Sequence, residues 1–458
     1  MNVSAVRRDF PALEDRPDRP APVYLDSACM SLVPRAVLEA MEGYYRDYPG
    51  CGGRSLHRFA EEVGRRFEGA REAFARFLGR ADPNGVVFTR GATEAINLVG
   101  QGLPWKKGDR VLISDREHNS NLIVWQRLAA ERGIRIEILP VADEGGFDAE
   151  ALEPALARGV RLVSLFHTSN LDGRSLPIRE ITERAHAHRA LVLFDGCQAA
   201  PHERVDLDRL GVDFYAISVH KMLGPTGTGL LASIPERLRE LRPLLVGGET
   251  VERSTLSGHV LRDPPHRFEA GLQNYAGVIG AHAAIQYLGE LGFDEIRAQQ
   301  LALNREISSA FAGEPRLRVL GPPDPEERPS IFAFSLEGID ANDAAVFLDE
   351  GYRVMVRSGM HCVHSWYLAR GLEGNVRASF YFYNDRRDVA TLTAGLREML
   401  ERIPGSGVSG TSAGTSGPPG RPARARPPAA GSRAAAARSA PPRGRAGRGR
   451  AASATGSG

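Results

Sequence analysis

From Val86 onward, short apolar runs alternate with stretches of helical spacing. Strands are expected at Val86 to Thr89, Arg110 to Ser114, Ile134 to Ile138, Leu162 to Phe166, Leu191 to Phe194 and Phe214 to Val219, the last run opening at Val212. Aliphatic, β-branched and aromatic residues dominate each of them. Helices are expected between most of these runs, at Ala95 to Gly102, Ser120 to Arg132 and Ile178 to His188. Such alternation implies an α/β protein with a mostly parallel sheet flanked by helices. Leu230 to Ile234 follows a glycine loop and is expected to return antiparallel.

The flanking segments have other rhythms. Residues 1–22 read as an N-terminal arm with a short helix, and Val23 to Ala28 as a short strand entering a loop. Pro34 to Tyr45 reads as a helix behind a proline start. The glycine loop Cys51 to His57 leads into a long amphipathic helix with Phe59, Val63, Phe67, Ala70 and Phe74 on one face. After a helix-rich stretch at about 275–313, strands are expected at Ser330 to Ser335 and Val354 to Arg357, and helices at Asn342 to Glu350 and Ala390 to Ile403. The expected domains are the arm 1–22, a large α/β domain 23–290, a smaller α+β domain 291–403 and a tail 404–458. The tail is built from Gly, Ser, Pro, Ala and Arg and cannot offset its ordering entropy, so disorder is expected there.

Composition narrows the class. The 458 residues are 42% hydrophobic and 25% charged, as in an ordinary soluble globular protein. No apolar run approaches the roughly 20 residues that span a bilayer. The N-terminus lacks a secretory apolar core, so a cytoplasmic location is expected. Cys29, Cys51, Cys197 and Cys362 form no CxxC pair, which leaves neither a disulfide framework nor zinc-ligand spacing. Nine arginines and no acidic residue follow Pro404; removing them from the overall +2 leaves the first 404 residues at −7.

In open α/β sheets, ligands bind beyond the carboxyl ends of the strands. Gly91-Ala92-Thr93-Glu94 follows one strand and opens a helix, an arrangement suited to a phosphate. His118 follows the next strand, Asn170 another and Asp195 a fourth. Lys221 ends the fifth, 26 residues after Asp195, in Ser218-Val219-His220-Lys221. A lysine at the end of a buried strand is costly unless paired or neutralised, and Schiff-base formation is one resolution. An aspartate on one strand and a lysine on the next suit a pyridine-aldehyde cofactor, whose ring nitrogen the carboxylate keeps protonated. A surface lysine in a glycine turn and a plain Asp–Lys ion pair are the structural alternatives.

Thr93-Glu94-Ala95-Ile96-Asn97, Glu117-His118-Asn119-Ser120-Asn121, Asp195-Gly196-Cys197-Gln198 and Ser218-Val219-His220-Lys221 resemble the class V aminotransferases, fold-type-I enzymes that use pyridoxal phosphate. Tyr24 to Ala28, Phe268-Glu269-Ala270-Gly271 and Arg377-Ala378-Ser379 fit the same group, and the similarity runs from about residue 10 to 403. Within it, Val356-Arg357-Ser358-Gly359-Met360-His361-Cys362 resembles the active-site loop of cysteine desulfurases of the sulfur-mobilising, selenocysteine-lyase-like type.

The resemblance implies roles. Lys221 would bind pyridoxal 5'-phosphate and move the Cα proton of L-cysteine. Cys362 would take the substrate sulfur as a persulfide, leaving alanine, unless it is a buried structural cysteine. His118 would stack on the ring as a candidate proton donor or acceptor, Asp195 pair with the ring nitrogen, and Gln198 bond the ring hydroxyl. Ala92, Thr93, Ser218 and His220 would hold the phosphate, Arg377 the substrate carboxylate, and Asn170 would lie near cofactor and substrate. A homodimer and a sulfur-acceptor protein, in iron–sulfur or thio-cofactor supply, are the implied partners. Gly271-Leu272 stands where the family commonly has Gly-Thr-Pro, which removes a hydroxyl expected to reach the partner's phosphate. Of the family's His-Arg-Gly-x-His region, Arg54 and His57 remain. Another class V activity (aminotransferase, epimerase or β-lyase) and nucleic-acid binding through the basic tail are the competing readings.

Overall fold

Alternate residues of each central strand enter two different apolar cores, and this sets the architecture. Phe214 and Ala216 pack with Val111, Ile113, Leu162 and Leu193 on one face. Tyr215 and Ile217 pack with Leu112, Val163, Leu165 and Phe194 on the other. A strand presents successive side chains to opposite faces, so a run that is apolar at every position must be covered twice. The computed structural model of the protein describes residues 1–141 and 147–402. The tail expected at 404–458, and the nucleic-acid reading resting on it, lie outside the described residues.

The large sheet has seven strands in the order Val86–Thr89, Gly229–Ser233, Phe214–Ser218, Leu191–Asp195, Val160–Phe166, Arg110–Ser114 and Arg135–Leu139. Gly229–Ser233 runs antiparallel to both its neighbours, and the other pairings are parallel. Six carboxyl ends therefore share one edge. Gly229 pairs with both Thr89 and Ser218 at that edge. A Cβ there would stand 2.4 Å from Gly91 Cα, so only glycine lets these strand ends close up.

A four-stranded antiparallel sheet is ordered Leu317–Leu320, Ile331–Leu336, Asn375–Ser379, Arg357–Gly359. The single strand expected at Val354 to Arg357 is two strands in two sheets. Val354–Met355 pairs in parallel with Val23–Tyr24, whereas Arg357–Gly359 pairs with Asn375–Ser379. A continuous β-forming run conceals such a change of partner. The N-terminal arm holds a helix at Val3–Arg7, and Arg7 Nη1 bonds Asp388 Oδ2 and the Tyr383 carbonyl, both at 2.8 Å. The helix expected from Ser120 starts at Ile123, after a 3-10 turn at Asn119–Asn121. The stretch 275–313 divides at Gly292 into helices Tyr275–Leu291 and Phe293–Ala310. An exposed hairpin, Val251–Thr255 with Gly258–Leu261, lay outside the expected elements.

Two buried polar groups tie stability to chemistry. Glu269 receives both terminal nitrogens of Arg71 at 2.8 Å and the Phe88 amide at 2.8 Å. Both side chains are almost fully buried, so breaking the pair strands a charge. Glu269→Ala is expected to lower the unfolding free energy by about 3–5 kcal/mol, read from denaturant midpoints. His167 is buried beside the Tyr215 hydroxyl, 2.7 Å from its Nδ1, and burial lowers its pKa to about 4. The unfolded chain binds this proton near pH 6.5 and the folded chain does not. Stability is therefore full above about pH 6.5 and falls as pH drops towards 4. His167→Gln, which retains an acceptor for Tyr215, is expected to shallow that slope by about 1.4 kcal/mol per pH unit; identical melting profiles from pH 8 to 4.5 would contradict this.

Candidate active site

The shared carboxyl edge carries a cavity of about 170 Å³. Ala92, Thr93, His118, Asn170, Asp195, Ser218, His220, Lys221, Cys362 and Arg377 all line it. Gln198 is the one expected site residue that does not. Its Nε2 donates to the Ala28 carbonyl at 2.7 Å and so supports the loop at Ala28. Ala28, Cys29, Ser120, Cys197, Arg357 and His361 complete the lining.

One end of the cavity is a helix N-terminus. Gly91 caps the helix Ala92–Gly102, the Ala92 amide donates to Ser218 Oγ at 2.9 Å, and the Thr93 and Ser120 hydroxyls stand 2.7 Å apart. Unfilled helix-end amides and clustered hydroxyls suit a phosphate. Lys221 follows Ser218 on a 3-10 turn, whose neighbouring His220 carbonyl accepts from Ser31 N at 3.0 Å and Ser31 Oγ at 3.2 Å. Among the described residues no ion pair joins Lys221 to Asp195, so the plain ion pair is not what holds them in one cavity. Asp195 Oδ1 accepts from the Cys197 amide at 3.0 Å.

His118 is fixed from both sides. The buried carboxyl of Glu117 accepts from Ser114 Oγ, Asn121 Nδ2 and the Phe166 amide, which anchors the loop before it. The Ser120 amide donates to His118 Nδ1 at 3.1 Å, leaving the neutral ring's proton on Nε2. Burial first, and then the Lys221 charge, lowers His118 to about 4; the same two causes lower His220 to about 4. Both are neutral at pH 7 and do not add to the cations already present.

The opposite wall comes from the small sheet. Arg357 and Arg377 are direct cross-strand partners. Arg377 Nη1 donates to the Asn170 carbonyl at 2.7 Å and Nη2 to Asp26 Oδ1 at 3.3 Å, while its buried Nε has no partner among the described residues. Two neighbouring guanidiniums suit an anion. Cys362 follows on a loop where His361 and Cys362 have φ of 48° and 60°. Successive left-handed residues other than glycine cost of order 1–3 kcal/mol each and need external support. It comes from the Asn119 amide to the Cys362 carbonyl at 2.7 Å, and from Asn170 Nδ2 to the His361 carbonyl at 2.8 Å. Asn170 thus holds the thiol loop as well as lining the cavity.

The donor set fits pyridoxal phosphate on this structure's own features: a phosphate-sized helix end, a lysine with no ion pair, a carboxylate on the adjoining strand and an unfilled guanidinium nitrogen. Sequence reasoning did not single out Cys29, Ala28 or Ser120. Each immediately adjoins a quoted motif residue or lies within a quoted motif, which was the available signal. Arg54 pairs instead with Glu249, His57 caps the helix Arg58–Phe77, and Leu272 is 61% exposed; none lines the cavity.

The chain matches the class-V aminotransferase family over residues 23–392. It is 37% identical over 405 residues to a probable cysteine desulfurase of Halobacterium salinarum, covering 88% of this chain and 97% of that one. It superposes on the apo structure of a cysteine desulfurase from Thermococcus onnurineus NA1 with TM-score 0.83 at 33% identity, over 87% of this chain and 98% of that one. It also resembles a C-DES mutant with glycine covalently linked to its PLP cofactor, with TM-score 0.74 at 25% identity, over 85% and 98% of the respective chains. Fold, edge cavity and matched sequence agree: this chain belongs to the class-V aminotransferase family.

Proposed function

We infer that the protein is a pyridoxal-phosphate-dependent cysteine desulfurase, which takes sulfur from L-cysteine, releases L-alanine and carries the sulfur as an enzyme persulfide. The observation that carries this reading is a partly exposed thiol, Cys362, in the same cavity as Lys221 and Asp195. A transaminase has no use for a thiol held on a loop of strained backbone in the lysine's cavity.

Bound here, pyridoxal phosphate supplies an aldehyde for amines and a ring that draws electrons from the substrate Cα. The Ala92 helix end, Thr93, Ser218 and His220 would hold its phosphate, and Asp195 its ring nitrogen. Asn170 and His118 would bound the ring, His118 with a proton on Nε2. Arg377 would receive the substrate carboxylate, for which planar guanidinium geometry is suited. Lys221 Nζ then takes the Cα proton. Cys362 Sγ attacks the substrate sulfur. The sulfur–sulfur bond forms as the substrate Cβ–S bond breaks, and the electron pair of the broken bond stays with the fragment that takes up a proton to become alanine. Arg357 Nη2, 3.6 Å away, faces the attacking sulfur.

The neutral histidines leave the cavity's positive charge to Arg357 and Arg377, opposite an anionic substrate. The persulfide would pass to an acceptor protein, feeding iron–sulfur or thio-cofactor assembly. The protein would work as a homodimer. Supporting this, residues 244–272 expose Leu244, Leu245, Val246, Leu256, Val260 and Leu272, more apolar surface than scattered side chains account for.

Purified holoenzyme with L-cysteine and a thiol reductant is expected to release sulfide and alanine in equal amounts. Cys362→Ala should abolish sulfide release yet keep the cofactor's visible absorbance. Lys221→Ala should lose that absorbance band and at least about 10²–10⁴-fold in rate. Full activity of Cys362→Ala would exclude the persulfide route.

A further inference from the structure

Cys362 is not the only reachable thiol in the cavity. Cys29 lines the same space and is also partly exposed. Arg357 Nη1 lies 2.6 Å from Cys29 Sγ, and Nη2 lies 3.6 Å from Cys362 Sγ. The two terminal nitrogens of one rigid, planar guanidinium therefore carry one sulfur each. The remaining cysteines differ: Cys197 is buried, with burial pushing its thiol up to about 12, and Cys51 does not line the cavity.

Cys29 is held in place by its neighbours. Its amide donates to the Asp26 carbonyl at 3.0 Å, the Ala28 amide to Ser379 Oγ at 2.9 Å, and Gln198 Nε2 to the Ala28 carbonyl at 2.7 Å. Burial opposes charge on Arg357, but the two thiols and Asp26 outweigh it and its pKa stays raised. Arg357 is placed to face negative charge that develops on either sulfur during exchange. Sulfur exchange between thiols requires an attacking thiolate and a stabilised leaving thiolate, and Arg357 faces both positions.

We propose that Cys29 is a second sulfur-carrying site, which accepts the outer sulfur of the Cys362 persulfide inside the cavity. The Cys29 thiolate attacks the outer sulfur; a sulfur–sulfur bond forms at Cys29 as the one at Cys362 breaks. Cys362 leaves as a thiolate and takes up the proton that Cys29 gave away. One thiol and one persulfide become one persulfide and one thiol, so no oxidant or reductant is consumed. Cys362 is then free to meet a second L-cysteine before any external acceptor arrives. This rests on the desulfurase reading and extends it.

The test uses holoenzyme, a small excess of L-cysteine and no reductant. The initial burst should release about two alanines per chain in the wild type and about one in both Cys29→Ala and the near-isosteric Cys29→Ser. Peptide mass spectrometry should find one added sulfur on Cys29 as well as on Cys362. A wild-type burst of one with Cys29 unmodified overturns the proposal. So does a Cys29–Cys362 disulfide formed with release of free sulfide, which would make Cys29 a resolving thiol. A complete absence of alanine would sink the desulfurase reading and this one with it, and is distinguishable from either result.

Discussion

Two guanidiniums, Arg357 and Arg377, face each other directly across an antiparallel strand pair, and much of the structure answers that repulsion. Like charges directly opposite destabilise a sheet, and Arg377 is almost fully buried. The answer is assembled from three parts of the chain. Asp26 comes from the N-terminal segment, the Asn170 carbonyl from the edge of the large sheet, and the pair itself from the small sheet. Burial raises the pKa of Asp26 while the two arginines pull it back. The Leu25 carbonyl accepts from the Ser379 amide, which stitches the same segment to the strand that carries Arg377. One carboxylate against two guanidiniums leaves a positive surplus aimed into the cavity, where an anionic substrate belongs.

The large sheet solves the complementary problem. Thr93, His118, Asn170, Asp195 and Lys221 follow five different strands and meet only because those strands end at one edge. Gly229 allows the innermost approach, and the buried Glu269–Arg71 pair secures the strand that leads to Gly91. Neutral histidines are part of the same balance. Burial first, and the Lys221 charge second, keeps His118 and His220 uncharged, so they add nothing to the charge of the arginines.

The strands of the large sheet were legible to within two residues, because burial on both faces makes most positions of the central strands apolar. Val86–Thr89 and Arg110–Ser114 fall where the pattern puts them. The Val354 to Arg357 run was misread because propensity reports extended backbone but not pairing partner. The hairpin at Val251–Leu261 is largely exposed and therefore carries no apolar alternation. The site residues were visible as motifs at strand ends, but their connections were not. Gln198 was visible as a motif residue, but its bond to the Ala28 carbonyl was not. Cys29 was one of four scattered cysteines. Only the fold places it on the same guanidinium as Cys362, more than 300 positions away in the sequence.

That difference explains where the chemistry of the site resides. Lysine, aspartate and helix end lie on the large sheet, where they are held by closely packed strands and change little without breaking a core. The sulfur-handling groups lie on the loop and strand opposite, supported by single hydrogen bonds from Asn119 and Asn170 and by a fork from Arg357. Left-handed backbone at His361 and Cys362 is tolerable only while those few bonds persist. The cofactor side is thus set by the sheet, and the thiol side by a small set of polar contacts that reach across from it. Substitution on the thiol side can redirect sulfur without disturbing the edge that holds the ring, and Cys29 stands on that side.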